Sequence, residues 1–239
     1  TPSMSFAFSK QQVVVKTRIS YAHQAYRQSR TGHLWVDPSI QWNWKVSALS
    51  SFSADVGYTN SPLTGKSIYD TPIFTTYRTQ KINQGKTAVT HDLRATATYK
   101  YANPVWGVFL NVSPMYARTS GNILYENVLN DRIFTIVATD KKRATETTGL
   151  SGHISKTFGW AKTLLGLGAS FTTTDYCMLV TGKVNVARMT VTSVALNFSL
   201  RPTRLLSVEG RSSVSFNQQK NQTAPQLSSG STNDWEHRL

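Results

Sequence analysis

Between His91 and Thr119, apolar and polar residues alternate with a period of two. Leu93, Ala95, Ala97, Tyr99 and Tyr101 fall on one side; Asp92, Arg94, Thr96, Thr98 and Lys100 fall on the other. After Asn103-Pro104 the alternation resumes, with Trp106, Val108, Leu110 and Val112 set against Asn111, Ser113 and Ala117. Successive residues of an extended strand point to opposite faces, so the stretch reads as a hairpin with one apolar face and one polar, charged face. Each arm has about ten residues, the length that crosses a bilayer when tilted. Aromatic rings crowd the turn, as amphipathic rings do at a membrane interface.

The rest of the chain repeats this pattern. Val13, Val15, Ile19 and Tyr21 alternate with Lys16, Arg18, Ser20 and Gln24, and Leu34, Val36, Ile40, Trp42 and Trp44 with Asp37, Ser39, Gln41 and Asn43. Phe52, Ala54, Val56 and Tyr58 oppose Ser53, Asp55, Gly57 and Thr59, and Leu150 and Ile154 oppose Ser151, His153 and Ser155. Leu165, Leu167, Ala169 and Phe171 oppose Gly166, Gly168 and Ser170; Val194, Leu196, Phe198 and Leu200 oppose Ser193, Asn197 and Ser199. Leu206, Val208, Val214 and Phe216 oppose Glu209, Arg211, Ser213 and Ser215. With shorter strands at 3–9 and from 234 onward, the pattern predicts eleven strands.

Short turns near Lys10, Ala48, Pro104, Trp160 and Pro202 alternate with longer connections over 26–33, 60–90, 120–146, 172–187 and 218–233. A meander that sorts its short turns to one end and its long loops to the other has the plan of an outer-membrane barrel. The predicted class is therefore all-β, an antiparallel transmembrane β-barrel. A soluble monomer does not expose so large an apolar face, and an open sheet edge cannot sit in hydrocarbon. Leu93, Tyr99, Leu110, Leu167, Leu196 and Val208 then face lipid, and Arg94, Lys100, Asn111, Gly168, Asn197 and Glu209 face inward. Trp42, Trp44, Tyr101, Trp106 and Trp160 lie beside short turns and predict an aromatic belt at the periplasmic interface.

Composition changes this picture little. In 239 residues no run approaches the ~18 consecutive apolar positions of a membrane helix. Mean hydropathy is −0.30, as expected where alternation averages out. The start, Thr1-Pro2-Ser3, lacks the charged and apolar regions of a signal peptide, so the chain is expected to begin after a cleavage or inside something longer. The single cysteine, Cys177, excludes an internal disulfide framework and fits no metal spacing. A net charge of +14 first suggests nucleic acid. The basic residues are spread along the chain, however, with no helix to carry them and no nucleic-acid motif, and a soluble polyanion binder ranks last.

On the polar face, Lys16, Arg18, Lys45, Arg94, Lys100 and Arg211 are candidate lumen residues, with Asp37, Asp55, Asp92 and Glu209 as their potential partners. The plain reading is a salt-bridged wall facing water; the functional one is selection of anionic solutes. Further cations (Lys66, Arg78, Lys81, Lys86, Arg132, Lys141, Lys142 and Arg143) lie in long loops, where a phosphate-rich outer leaflet would favour them. Outer-membrane lipid and lipopolysaccharide are the partners this implies.

Catalytic chemistry is sparse. His23, His33, His91, His153 and His237 show no metal-ligand spacing. His91 and Asp92 point to opposite faces and cannot form a dyad. No serine sits in a nucleophile elbow, and no carboxylate pair stands out. Gly166-x-Gly168 lacks the third glycine and following helix of a dinucleotide site. The chain is read as a non-enzyme without cofactor or metal.

Five stretches carry a resemblance: IQWNWKVSALSSFSADVGYTNSP, IFTTYRTQKINQG, NPVWGVFLNVSPMYARTSGNILYENV, GHISKTFGWAKTLLGLGASFTTTD and SLRPTRLLSVEGRSSVSF. They resemble the C-terminal barrel half of TonB-dependent outer-membrane receptors, in the branch with an N-terminal carboxypeptidase-regulatory-like domain. The resemblance implies a location in the Gram-negative outer membrane and a 22-stranded barrel plugged by an N-terminal domain. TonB acts through that plug in nutrient uptake, and the wall's basic residues could then meet acidic patches of the plug. Residues 1–239 would be part of one barrel domain, with the plug outside this chain. Its partners would be the remaining strands and plug of the same receptor, with a surface lipoprotein as a further candidate. The chain departs from the pattern in lacking the plug and in ending at Trp235-Glu236-His237-Arg238-Leu239 without a final aromatic strand. A passive pore or uncoupled structural barrel is the alternative.

Overall fold

The computed structural model describes residues 2–26, 29–62, 71–82, 89–130, 133–159, 162–180, 182–201, 203, 206–221 and 230–238. Fifteen strands join in one sheet: β1 (Ser3–Phe8), β2 (Gln11–Tyr26), β3 (Ser29–Lys45), β4 (Ser50–Pro62), β5 (Ile73–Thr76), β6 (Thr79–Ile82), β7 (Val89–Asn103), β8 (Val108–Gly121), β9 (Leu124–Asn130), β10 (Ile133–Thr139), β11 (Arg143–Phe158), β12 (Thr163–Val180), β13 (Lys183–Leu200), β14 (Val208–Asn221) and β15 (Gly230–Arg238). No α-helix occurs among the described residues. The protein is all-β.

The eleven strands predicted from alternation form the main path, β1-β2-β3-β4-β7-β8-β11-β12-β13-β14-β15, and every neighbouring pair along it is antiparallel. Short turns make this order local. At the β7–β8 turn, Asn103 Oδ1 accepts from the Trp106 amide at 3.1 Å. Gly107 there adopts φ +63°, and a Cβ on it would stand 2.6 Å from the Thr157 carbonyl oxygen. Only glycine both tolerates that backbone and lets β11 approach; the Thr157 amide donates to the Gly107 carbonyl at 2.7 Å. The sheet is open, since β1 pairs only with β2, and β15 only with β14, among the described residues.

Two expectations about the connections need correction. Residues 26–33 and 172–187 were expected to be long loops. Instead β2 runs to Tyr26 and β3 restarts at Ser29, while β12 runs to Val180 and β13 restarts at Lys183. These strands have 16 to 18 residues. The β2–β3 ladder continues to Tyr26 and Ser29 and the β12–β13 ladder to Val180 and Lys183; in the second, the Thr172–Thr174 run is a good strand former although it breaks the alternation. The connections over 60–90 and 120–146 are long but not structureless. They carry β5, β6, β9 and β10, the four strands beyond the predicted eleven, in the order β12-β9-β10-β6-β5. Two of these contacts, β6 with β10 and β9 with β12, are parallel.

The burial pattern is inverted relative to a soluble domain. Among the described residues, thirty-four large hydrophobic residues are exposed, whereas six hydrophobic residues are buried, among them Trp35, Ile123, Leu124 and Ala138. Among the described residues, no helix and no second sheet covers the main path.

Candidate functional site

Register decides what each face carries. All ten sequence-derived candidates, Lys16, Arg18, Asp37, Lys45, Asp55, Asp92, Arg94, Lys100, Glu209 and Arg211, fall on one face by continuous alternation through the pairings. Eight of them cluster on the contiguous strands β2, β3, β4 and β7, with Arg18 opposite Asp37. Glu209 and Arg211 lie apart on β14. Between these groups the face is hydroxyl-rich, and its charges there, Arg143 and Lys183, sit at the long-loop end: Thr98 meets Ser113 at 3.0 Å, Thr147 meets Thr174 at 3.1 Å, and Ser170 meets Ser193 at 2.6 Å.

The carboxylates are engaged mainly by backbone and hydroxyl groups. Asp37 Oδ1 accepts from the Asn60 amide at 2.8 Å and from Asn60 Nδ2 at 3.0 Å, which bridges β3 to β4 where their ladder ends. Asp92 Oδ1 accepts from Thr119 Oγ1 at 2.6 Å. Glu209 accepts from Arg201 Nη2 at 3.2 Å. Gly166 and Gly168 also belong to this face, and their role is room: a Cβ on Gly166 would stand 3.2 Å from His153 Cε1, and one on Gly168 3.5 Å from its Nδ1. The imidazole lies across both glycines.

The opposite face carries the apolar residues, and its charges fall at its limits. Arg118 pairs with Glu146, Glu146 with Asp175, Asp175 with Arg188, and Arg188 with Lys220, so five strands place a charged residue in one row. Arg118 Nε lies 3.4 Å from Glu146 Oε1. Arg188 donates from Nε and Nη2 to the two Asp175 oxygens, each at 2.7 Å. That two-pronged hydrogen bond, helped by the guanidinium charge, holds the Asp175 carboxyl below its ordinary value of 3.8 and raises Arg188. From this row toward the short turns, the apolar face of β8, β11, β12, β13 and β14 carries no Asp, Glu, Lys or Arg until Lys156.

At the short-turn end, Trp42 stacks on Trp44 (6.0 Å, 6°) and meets Phe52 edge-on at 5.3 Å. Phe52 faces Tyr99 across the β4–β7 pair. Trp106 is exposed in the β7–β8 turn. Trp160, the fifth residue expected in this aromatic group, lies outside the described residues, as do Lys66, Lys86 and Arg132.

Beyond the charged row, at the long-loop end, lies a cavity of about 740 Å³ that the sequence did not reveal. His91, Arg118, Ser120, Ala144 and Cys177 contribute to it from the apolar-face positions of four strands, and Lys142, Arg143 and Trp35 complete its cationic and aromatic lining. His91 Nδ1 bonds Asn60 Oδ1 at 2.6 Å and its ring stacks on Tyr58. Asp92 turns to the other face, so the pair is separated as expected. Cys177 Sγ donates to the Ala144 carbonyl at 3.3 Å. Among the described residues, no group of three or more His, Cys, Asp or Glu is placed to hold a metal ion.

No family model and no curated protein matches this chain.

Proposed function

We propose that the chain is part of the barrel wall of a TonB-dependent receptor in a Gram-negative outer membrane, and that it works in energised nutrient uptake. The observation that carries the membrane reading is the charge-free band of the apolar face. On β11 the band is bounded by Lys156 at one end and Glu146 at the other, ten residues apart. At ~3.3 Å per residue that is about 33 Å along the strand, and a strand tilted by about 40° converts it to about 25 Å across the membrane. This is the height of the apolar band on outer-membrane barrels. A face that interacts with water has no reason to keep charges off five neighbouring strands over that distance.

In this reading lipid covers the apolar face and water or the plug covers the face with Lys16, Arg18, Arg94, Lys100 and their carboxylates. The free edges of β1 and β15 pair with other strands of the same receptor, because unpaired backbone is too costly in hydrocarbon. The stacked tryptophans take the periplasmic interface, and the β5, β6, β9, β10 region stands at the cell surface. The five family-like stretches add the TonB coupling and the 22-stranded whole.

Fractionation of cells making the full receptor polypeptide tests the reading. Recovery in the outer-membrane fraction, resistant to carbonate extraction, is expected; recovery as a carbonate-soluble protein contradicts it. Uptake that continues after the proton-motive force is dissipated would replace energised transport with a passive pore.

A further inference from the structure

We propose that the cavity beyond the charged row is a lateral opening in the wall, which admits small soluble oxyanions from the outer surface to the charged face. The inference rests on the membrane reading above and adds a route to it, just beyond the apolar band.

Three observations support this. The first is a break in the sheet. β11 pairs with β12 as far as Asp175, and β9 takes over that side of β12 at Leu179. The residues between, Tyr176, Cys177 and Met178, have only β13 as a ladder partner among the described residues. Four residues of rise make this break about 13 Å long along β12. A side chain spans it in place of a ladder, the Cys177 thiol donating to the Ala144 carbonyl at 3.3 Å. The β8–β11 ladder ends at Gly121 and Arg143 on the membrane side of the break. Its far side is tied down at Gly182, whose amide donates to Glu126 Oε1 at 2.8 Å and whose carbonyl accepts from Lys141 Nζ.

The second is that both faces line the cavity. Arg118, Ser120 and Cys177 come from apolar-face positions, whereas Trp35, Gly121 and Arg143 come from charged-face positions. A pocket sunk into one face of a sheet is lined by one set; a gap in the sheet is lined by both. The third is charge. Arg118, Lys142 and Arg143 line the cavity, and among the described residues no Asp or Glu does. Glu146 offsets part of the Arg118 charge, and Arg188 holds Asp175. Arg143 lies across Gly121, where a Cβ would stand 2.9 Å from its Nε. The cations therefore run from Arg118 on the outer face to Arg143 on the inner one. A cleft lined by one sign of charge draws in solutes of the opposite sign.

The test uses intact cells making the full receptor with Cys177 as its sole cysteine. The probes are two small methanethiosulfonates, one carrying a sulfonate and the other a quaternary ammonium. Each labelling rate is divided by that reagent's rate with free cysteine. The sulfonate is expected to label Cys177 at least tenfold faster than the ammonium on this scale. The triple variant Arg118→Gln/Lys142→Gln/Arg143→Gln should bring the ratio below two. Lys10→Gln, the same charge change at the opposite end of the sheet, should leave it unchanged. Passage is read separately at Thr145→Cys, on the charged face. Its labelling by the sulfonate should be at least fivefold slower when Cys177→Trp fills the break than when Cys177→Ser leaves it clear. Cys177→Leu gives the same comparison if the tryptophan variant does not reach the outer membrane. No anion preference at Cys177, or a preference that survives in the triple variant, overturns the proposal. Labelling at Thr145→Cys that ignores the residue at 177 also overturns it, because solutes then reach the charged face by another way. If either result comes from a receptor that resists carbonate extraction, only the opening fails. If the receptor is carbonate-soluble, the membrane reading fails with it.

Discussion

Placing one arginine at Val194 or at its neighbour Ala195 separates a lipid-facing surface from a water-facing one. Val194 lies six residues from Arg188, on the apolar face. That distance is about 20 Å along the strand and about 15 Å along the membrane normal at 40° tilt, close to the middle of a 25 Å band. Val194 pairs with Ala169 and Val214 and is 37% exposed with no protein layer above it. An arginine there cannot reach the charged row, and at mid-depth on a lipid face it costs about 2–4 kcal/mol. That is roughly a 30- to 700-fold loss in the folding equilibrium. Ala195 sits at the same depth on the other face, between Gly168 and Ser213, so Ala195→Arg adds a cation to a wet wall and should stay within about 0.5 kcal/mol. The assay is reversible guanidinium unfolding in phosphocholine vesicles, followed by tryptophan fluorescence. Equal effects of the two substitutions, whether both small or both large, would refute the assignment of faces.

Two further predictions test particular sites. Gly107→Ala should cost about 1–3 kcal/mol in the same assay, because alanine is strained at φ +63° and its Cβ would press on the Thr157 carbonyl; a change below about 0.5 kcal/mol would show that the turn relaxes freely. The Asp175–Arg188 pair gives a pH dependence. The folded carboxyl titrates below its ordinary value of 3.8, so its contribution is complete above that value and disappears as pH falls through the depressed one. Arg188→Gln should therefore lower stability slightly at neutral pH, a small effect because the pair is exposed, and the difference from the unmodified protein should vanish as pH falls through the depressed value; a difference that stays constant into acid would contradict the pairing.

Much of the fold was legible because one physical rule, alternation with period two, runs through every strand that borders the apolar band. The same rule placed all ten charged candidates on a single face. It failed where that contrast ends. Thr172, Thr173 and Thr174 show no alternation, so β12 and β13 were cut short, and the ends of β2 and β3 were given to a connection because residues 22–33 are mostly polar with no two-residue contrast. The short strands β5, β6, β9 and β10 pair partly in parallel and across distant segments, which local patterning does not reveal. The cavity depends on register between four strands. Arg118 gains meaning only when it is seen opposite Glu146 and beside His91, Lys142 and Arg143. Its one sequence signal was the basic run Lys141-Lys142-Arg143.

The most direct measurement of the central claim is a spin-label scan of β13 from Thr190 to Leu200, with Cys177 replaced and the protein in lipid vesicles. Oxygen collects in lipid and a neutral nickel chelate stays in water, so their relaxing effects report the surroundings of each site. The account predicts that Thr192, Val194, Leu196 and Phe198 favour oxygen, rising to a maximum near Val194, while Val191, Ser193, Ala195 and Asn197 favour the chelate. Uniform chelate accessibility at both sets would contradict it, and so would the absence of a two-residue period.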